Sequence, residues 1–155
     1  MATCKERLIA HFQEKSVAFE EFRFPEVYTA QEMAAQLHVP GRQLAKVVMV
    51  KVQGEVAMLV LPAPARVDFS RLKEALGAKK VELAREREFA DCFPDCEVGA
   101  MPPFGGLYQV PTYVDESLAQ AGEIVFLAGR HNEALKLSYA DYEQLAQPRV
   151  LSFAC

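Results

Sequence analysis

Two apolar runs in the middle of the chain show the clearest pattern. "AKVVMVKV" at 45–52 and "EVAMLVLP" at 55–62 are rich in strand-forming residues, and Gln53 and Gly54 separate them. A two-residue turn between such runs predicts a β-hairpin. Because the runs are almost continuously apolar, both faces of the hairpin are expected to be covered. The hairpin is therefore predicted to form the centre of a sheet.

The two-residue turn also fixes the register of this hairpin. Val52 should lie opposite Glu55, and Lys46 should lie opposite Leu61. Side chains alternate along a strand, so Lys46 shares its face with the valines at 48, 50 and 52. A lysine is thus predicted to lie along an apolar face, the alternative being a strand-end lysine that reaches solvent.

Shorter periodic segments surround the hairpin. Apolar spacing predicts helices at 3–14, 29–39, 68–77 and 138–146, and a weaker one at 85–93. Thr3, Thr29, Asp68 and Ser138 are the predicted N-caps, and the two threonines are each followed by Glu in a capping box. Strand-forming runs occupy 17–24, 107–115, 123–129, 133–138 and 149–154. Strands and helices do not alternate regularly, so the predicted class is α+β, with a mixed, mainly antiparallel central sheet and flanking helices.

Length and composition narrow the class of protein. The 155 residues are 51% hydrophobic with no shift in composition, which predicts one domain over 1–155. No apolar run approaches the ~20 residues that span a bilayer, and charges interrupt the N-terminal segment. We therefore expect a cytoplasmic monomer without a membrane partner.

The net charge of −4 means that nucleic acid must be held locally. Glutamates interleave the basic residues of 79–87, which predicts a solvated helix face.

The four cysteines do not form a recognisable metal motif. Cys92 and Cys96 are the one pair close in sequence, and no second pair or nearby histidine accompanies them. We therefore expect free thiols, no metal and no cofactor.

Candidate catalytic side chains are few. His131 in "LAGRHNEA" follows an apolar strand, where a side chain can project into a cleft, although an ordinary turn histidine fits equally well. His11 and His38 are predicted to be surface or capping residues. The sequence contains no nucleophile elbow and no Walker loop. An enzyme of this sequence would therefore position its substrate and stabilise charge, with water or a substrate hydroxyl as the nucleophile.

The stretch "GAMPPFGG" at 99–106 places two prolines between glycines. Glycine permits unusual backbone angles and close approach, whereas proline fixes its own angle and has no N–H. The stretch predicts a stiff loop of unusual shape. It is either a connector whose apolar residues plug the core or part of a site.

Three stretches in one order resemble a known family: "LAKVVMV" around Lys46, "GAMPPFG" from Gly99, and "FLAGRHNEALKLSYADY" from Phe126. They are similar to the YbaK family of aminoacyl-tRNA deacylases, which is related to the editing domain of bacterial prolyl-tRNA synthetase. The likeness extends over nearly the whole chain. It implies a mixed β-sheet with flanking helices that acts on tRNA carrying the wrong amino acid.

The resemblance carries over to individual residues. It implies a pocket lysine at Lys46, the ends of a Gly-x-x-x-Pro loop at Gly99 and Pro103, and a functional histidine at His131. Family members commonly have threonine or asparagine after the lysine, where this chain has Val47, so the resemblance does not fix the amino acid. Lys46 would hold the terminal phosphate, hold the terminal adenosine, or help with developing charge, and the residues leave these three roles open.

The loop suits the chemistry that the resemblance implies. Hydrolysis of an aminoacyl ester forms a tetrahedral oxyanion, which a backbone N–H on a rigid loop stabilises by ~3 kcal/mol. Ala100 and Met101 are the predicted donors, because the two prolines have no N–H, and Gly99 would let the ester approach the main chain. The substrate is further expected to contact Val47, Pro102, Pro103, Phe104 and Gly129.

The predicted function is that of a free-standing trans-editing deacylase, which releases a mischarged small amino acid from tRNA. Its predicted partner is the acceptor end of an aminoacyl-tRNA, and a synthetase or an elongation factor is a further candidate partner. The alternatives are a non-catalytic module that binds aminoacyl-tRNA or a synthetase, and a small-molecule esterase.

Overall fold

The central hairpin forms as predicted. A computed structural model describes residues 2–26 and 29–155. In it, β2 (Ala45–Val52) and β3 (Glu55–Pro62) pair antiparallel, with Val52 opposite Glu55 and Lys46 opposite Leu61. Buried residues lie on both faces of the pair, Met49 and Met58 on one and Val50 and Leu59 on the other. The predicted register and the double coverage are confirmed.

The hairpin lies within a five-stranded mixed sheet. The strand order is β4-β2-β3-β5-β8, where β4 is Val81–Leu83, β5 is Thr112–Asp115 and β8 is Arg149–Leu151. The pairs β3–β5 and β5–β8 are parallel, whereas β2 pairs antiparallel with both of its neighbours.

A second sheet lies beside the start of β2. Its three antiparallel strands have the order β1-β7-β6, comprising β1 (Glu20–Arg23), β6 (Glu123–Leu127) and β7 (Glu133–Ser138). A bridge between Leu44 and Val125 joins the two sheets. The Lys46 end of β2 is therefore placed at the junction of the sheets.

Helices flank both sheets, and four of the five α-helices in the described ranges begin at the predicted caps. The five are α1 (Cys4–Glu14), α2 (Ala30–Leu37), α3 (Phe69–Leu76), α4 (Glu86–Phe89) and α5 (Tyr139–Ala146). Thr3, Thr29, Asp68 and Ser138 each accept a hydrogen bond from an amide of the first turn. His38 ends α2 with φ of 54°, so its predicted capping role is confirmed. With mixed strands and flanking helices, the predicted α+β fold is confirmed.

Two segments differ from the prediction. Within 107–115 only Thr112–Asp115 is a strand, because Gly105–Tyr108 turns as a 3-10 helix and Gln109 takes a left-handed conformation with φ of 60°. The basic run at 79–87 is not a helix face, because Val81–Leu83 pairs with β2 as an edge strand before the short α4. None of the helices in the described ranges has the length and apolar character that a membrane crossing requires.

Candidate functional site

A cavity of about 200 Å³ opens where the two sheets meet. Five of the predicted site residues line it: Lys46, Val47, Gly99, Met101 and His131. They come from β2, from the Gly-x-x-x-Pro loop and from the turn between β6 and β7. The fold thus brings three distant segments of the sequence to one cavity.

Lys46 is a half-buried cation at the edge of this cavity. Its Nζ donates a hydrogen bond to the carbonyl oxygen of Ala65 at 2.5 Å. Burial, and secondarily the charge of Arg66, lowers the pKa of Lys46 below its usual value. Among the described residues, no carboxylate lies within 4.0 Å of its Nζ. The ammonium group therefore has a carbonyl partner but no compensating negative charge.

The loop that carries Gly99 has a backbone only glycine adopts easily. Gly99 has φ of +87°, and its N–H donates to the Met101 Sδ at 3.3 Å. The Ala100 N–H donates to the Glu97 carbonyl oxygen at 3.0 Å, so this amide is already occupied. In the described ranges the Met101 N–H has no hydrogen-bond acceptor. Of the two predicted oxyanion donors, the structure thus leaves Met101 available and removes Ala100.

Glu97 fixes the loop to the turn that carries His131. Its N–H donates to the Gly129 carbonyl oxygen at 2.8 Å, and the Gly129 N–H donates to the Ala100 carbonyl oxygen at 2.8 Å. The Glu97 carboxylate accepts a hydrogen bond from the main-chain N–H of His131 at 2.8 Å. Sequence reasoning missed Glu97, because a glutamate near a glycine loop carries no signal that distinguishes it from a surface residue.

The His131 imidazole lies between Glu97 and Gly99. Its side chain is 15% exposed, and its Nδ1 lies 3.4 Å from a carboxylate oxygen of Glu97. A Cβ atom at position 99 would lie 3.3 Å from the Nε2 of His131. Glycine at position 99 therefore leaves room for the imidazole edge as well as for the unusual backbone.

Comparisons with known proteins show which family the chain is related to. Residues 24–145 match the family described as "Aminoacyl-tRNA editing domain". This chain belongs to the aminoacyl-tRNA editing domain family. The resemblance noted in the sequence is thereby confirmed.

Individual relatives of this editing domain include free-standing and fused proteins. The "Multifunctional Ser/Thr-tRNA deacylase ProXp-y" of Escherichia coli K12 is 28% identical over 153 residues, which cover 96% of this chain and 91% of the relative. The "Proline--tRNA ligase" of Bacillus mycoides KBAB4 is 26% identical over 106 residues, covering 68% of this chain and 19% of the ligase. A crystal structure of a "putative trans-editing enzyme for prolyl tRNA synthetase" has a TM-score of 0.84 at 17% identity, covering 99% and 98% of the two chains.

Four predicted substrate contacts of the editing domain do not line the cavity. Phe104 is 2% exposed and packs among Phe12, Phe126 and Tyr142. The carbonyl oxygen of Pro103 accepts the Tyr142 hydroxyl at 2.9 Å, and both prolines are buried. Pro102, Pro103 and Phe104 therefore anchor the loop in the core. They do not form a wall for substrate.

Gly129 also has a structural role that differs from the predicted one. It has φ of +98°, and a Cβ atom there would lie 2.7 Å from the Cβ of Cys4. Gly129 thus allows α1 to pack closely against the turn before His131. The remaining walls of the editing cavity were not predicted, and they are contributed by Thr29, Met33, Leu44, Ala45, Ala63 and Leu127. Proximity to Lys46 in the sequence was the available signal for Leu44 and Ala45.

One cluster outside the cavity offers metal-ligand atoms. Cys4 Sγ, Cys96 Sγ and a carboxylate oxygen of Asp95 lie within 4.8 Å of one another. The sequence paired Cys96 with Cys92, but the fold places Cys4 beside it, because helix α1 packs against the loop before Gly99. All four cysteines are free thiols, as expected.

Proposed function

We propose that this editing domain hydrolyses the ester that links a small amino acid to tRNA. The observation that carries the proposal is the convergence of Lys46, Gly99, Met101 and His131 on one cavity within a chain of the editing family. The ProXp-y relative, which is aligned over nearly all of its own length, is named as a Ser/Thr-tRNA deacylase.

The Met101 N–H is the oxyanion donor in this proposal. The amide belongs to a loop whose prolines are buried and whose next residue is packed among aromatic rings. A rigid donor of this kind stabilises the transition state without reorganising, by ~3 kcal/mol. Gly99 has no side chain to block the ester as its carbonyl approaches the main chain.

Lys46 supplies positive charge to the cavity. Its ammonium group is partly desolvated and has no carboxylate partner in the described part of the chain. A phosphate oxygen or the developing oxyanion would supply the missing negative charge, and attraction between the two is stronger in a partly buried site than in water. We infer that the ammonium group of Lys46 acts mainly by attracting the substrate.

His131 orients the attacking water or ribose hydroxyl, and Glu97 positions His131. The Glu97 carboxylate accepts a hydrogen bond from the His131 main chain and lies beside Nδ1. This arrangement directs Nε2 towards Gly99, where the ester approaches. A carboxylate beside one ring nitrogen favours the tautomer that carries its proton there and helps to set the orientation of the imidazole.

The cavity suits a small acyl group at the acceptor end of tRNA. Its volume is about 200 Å³, and most of its walls are apolar, including Met33, Val47 and Leu127. A net charge of −4 argues against an extended nucleic-acid interface. The terminal nucleotide and its amino acid would therefore provide most of the contacts, and a synthetase or an elongation factor would present the tRNA.

The test is release of amino acid from a panel of mischarged tRNAs. Alanine, serine, threonine and cysteine are charged in turn, and protein is added at one-hundredth of the tRNA concentration. We expect many turnovers for at least one small amino acid. Protection of one tRNA per protein without release would instead establish a binding module, and equal hydrolysis of simple amino-acid esters would establish a small-molecule esterase.

A further inference from the structure

The Cys4–Cys96 cluster, formed by these two cysteines with Asp95 and Tyr108, lies outside the cavity. Cys4 is the first residue of helix α1, and Cys96 lies in the loop before Gly99. The two sulfur atoms lie within 4.8 Å of each other. A disulfide requires the two sulfur atoms to approach to about 2 Å, so the link requires side-chain rotation and a movement of the loop.

The Asp95 carboxylate already accepts hydrogen bonds from three neighbours. It accepts from the Tyr108 hydroxyl at 2.7 Å and from Arg7 at 2.6 Å, and it also receives the thiol of Cys96. A metal ion would compete with these donors for the carboxylate oxygens. The geometry therefore favours chemistry between the two sulfur atoms over coordination by the three side chains.

The two thiols differ in their readiness to ionise. The contact with Cys96 is the largest effect on the pKa of Cys4 and leaves it below its usual value, although burial opposes this shift. The same contact, together with burial, raises the pKa of Cys96. Cys4 also occupies the N-terminal turn of α1, a position that favours a thiolate.

Cys4 is buried, with 2% of its surface exposed, whereas Cys96 is partly exposed, and both residues border surface cavities. Cys4 lines a surface cavity of about 240 Å³, and Cys96 lines a neighbouring cavity of about 380 Å³. Asp95 and Gly129 border both cavities. A molecule the size of a hydroperoxide fits either one.

We propose that Cys4 and Cys96 form a reversible disulfide when the protein meets a hydroperoxide. The Cys4 thiolate attacks the peroxide oxygen, which gives a sulfenic acid and releases an alcohol, or water from hydrogen peroxide. The Cys96 sulfur then attacks the Cys4 sulfur and displaces hydroxide, which leaves as water. Two thiols lose two electrons and two protons in total, and the peroxide is reduced by the same two electrons.

The disulfide would act on the neighbouring cavity through Glu97. Glu97 follows Cys96 directly, and it holds both the Gly129 turn and the His131 main chain. Drawing Cys96 towards Cys4 would displace Glu97 and misplace His131 relative to Gly99. This consequence rests on the proposed deacylase function, whereas formation of the disulfide does not.

The experiment treats the full chain with hydrogen peroxide, blocks remaining thiols with N-ethylmaleimide, and maps linked peptides by non-reducing mass spectrometry. A Cys92→Ser, Cys155→Ser double variant keeps only the proposed pair and should close the same link. Cys4→Ser and Cys96→Ser, each checked by thermal unfolding, should not form it. A Cys92–Cys96 link, or a Cys4 that stays fully alkylatable in the double variant, would overturn the proposal.

Deacylation of the same samples tests the coupling. We expect oxidation to slow single-turnover release by about tenfold, because misplacing a catalytic group by about 1 Å costs rate. Dithiothreitol should restore the rate, and Cys4→Ser should resist the loss. A confirmed disulfide with an unchanged rate would overturn the coupling alone, whereas absence of deacylation in the reduced protein would count against the proposed function and leave the mapped disulfide standing.

Discussion

The two ends of strand β2 carry the same side chain in opposite electrostatic settings. Lys51, near the turn of the hairpin, lies 2.6 Å from a carboxylate oxygen of Glu88, and this hydrogen bond raises the pKa of Lys51. Lys46, at the junction of the sheets, donates to a carbonyl, and its pKa is lowered by burial and by Arg66. Glu88 balances the charge of Lys51, whereas Lys46 has no carboxylate within 4.0 Å of its Nζ in the described part of the chain.

This difference separates a structural lysine from a functional one. An ion pair on the protein surface contributes little to stability. Its lysine is already neutralised by the acid, so it attracts a charged ligand only weakly. A half-buried cation without an acid is unfavourable for folding, and such groups concentrate at functional sites. The Lys46 end also lies beside Met101, whose amide has no acceptor among the described residues, whereas the other end of the strand is the Gln53–Gly54 turn.

The largest expected effect on the deacylation rate comes from replacing Lys46 with alanine. Lys46→Ala should reduce the single-turnover rate by about 100-fold or more, since charge stabilisation of this kind is worth ~3 kcal/mol in a partly buried site. Lys51→Ala, the matched control on the same strand, should change the rate by less than about twofold. Release of labelled amino acid from mischarged tRNA measures both. Equal losses in the two variants would remove the distinction.

A second comparison uses two glycines that have almost the same φ angle. Gly99 has φ of +87° beside His131, whereas Gly54 has φ of +88° and open space within 4 Å of where its Cβ atom would lie. Alanine should cost each site about 1 kcal/mol of stability, because the left-handed region is unfavourable for residues with a side chain. Gly99→Ala should in addition slow deacylation about tenfold by pressing on the imidazole. Urea denaturation and single-turnover rates separate the two effects, and a full rate in Gly99→Ala would contradict the close-approach role.

A smaller effect is expected from Glu97. Glu97→Gln keeps an acceptor for the His131 main chain but removes the charge beside Nδ1, so the rate should fall several-fold, by about threefold to tenfold. A positioning role also predicts a displaced pH–rate profile, which a merely structural role would not produce. Glu82→Gln, on the exposed strand β4, is the control and should leave both rate and profile unchanged. An unshifted profile in Glu97→Gln would assign Glu97 to loop stability alone.

The smallest expected effect on rate comes from Asp115, at the end of β5 and outside the cavity lining. Burial raises its pKa, but hydrogen bonds from Ser117 and from the Phe153 and Ala154 amides outweigh burial and hold it below the usual value. A lowered pKa stabilises the fold above the unfolded value of about 4, and this stability is lost as the pH falls through the folded pKa.

Asp115→Asn should therefore lower the free energy of unfolding by about 1–3 kcal/mol at pH 7, since hydrogen bonds to a charged group are lost. The difference from the original protein should shrink as the pH approaches 3, while the deacylation rate at neutral pH stays unchanged. Urea denaturation across this range measures the change. A constant difference at every pH would show that ionisation of Asp115 does not stabilise the fold.

The sequence predicts features that depend on local pattern and pairing. The turn residues and strand periodicity fixed the register that places Lys46 opposite Leu61. The glycine and proline chemistry identified the loop at Gly99, although the occupied amide of Ala100 could not be foreseen because its acceptor depends on how the loop folds back.

Contacts between distant segments were not predictable in the same way. Phe104 looked like a wall of the site because it follows the prolines, but its ring completes an aromatic core contributed by helices and strands elsewhere in the chain. Glu97 and Cys4 acquire their roles only when α1 and the Gly129 turn pack together. Edge strand β4 was not predicted because it lies within a run rich in charged residues. Charged residues are tolerated on an exposed sheet edge and are equally typical of a helix surface.

The most direct test of the central claim is an amide NMR titration with an adenosine that carries a small amino acid through a non-hydrolysable 3′-amide. We predict that the Met101 N–H shifts most and becomes slower to exchange, together with shifts at Gly99 and Lys46, because the acyl carbonyl accepts the hydrogen bond of this amide. Lys51 and Gly54, at the other end of the hairpin, should not shift. Binding that leaves the Met101 amide unchanged, or that perturbs the turn end, would contradict the assignment of the oxyanion site.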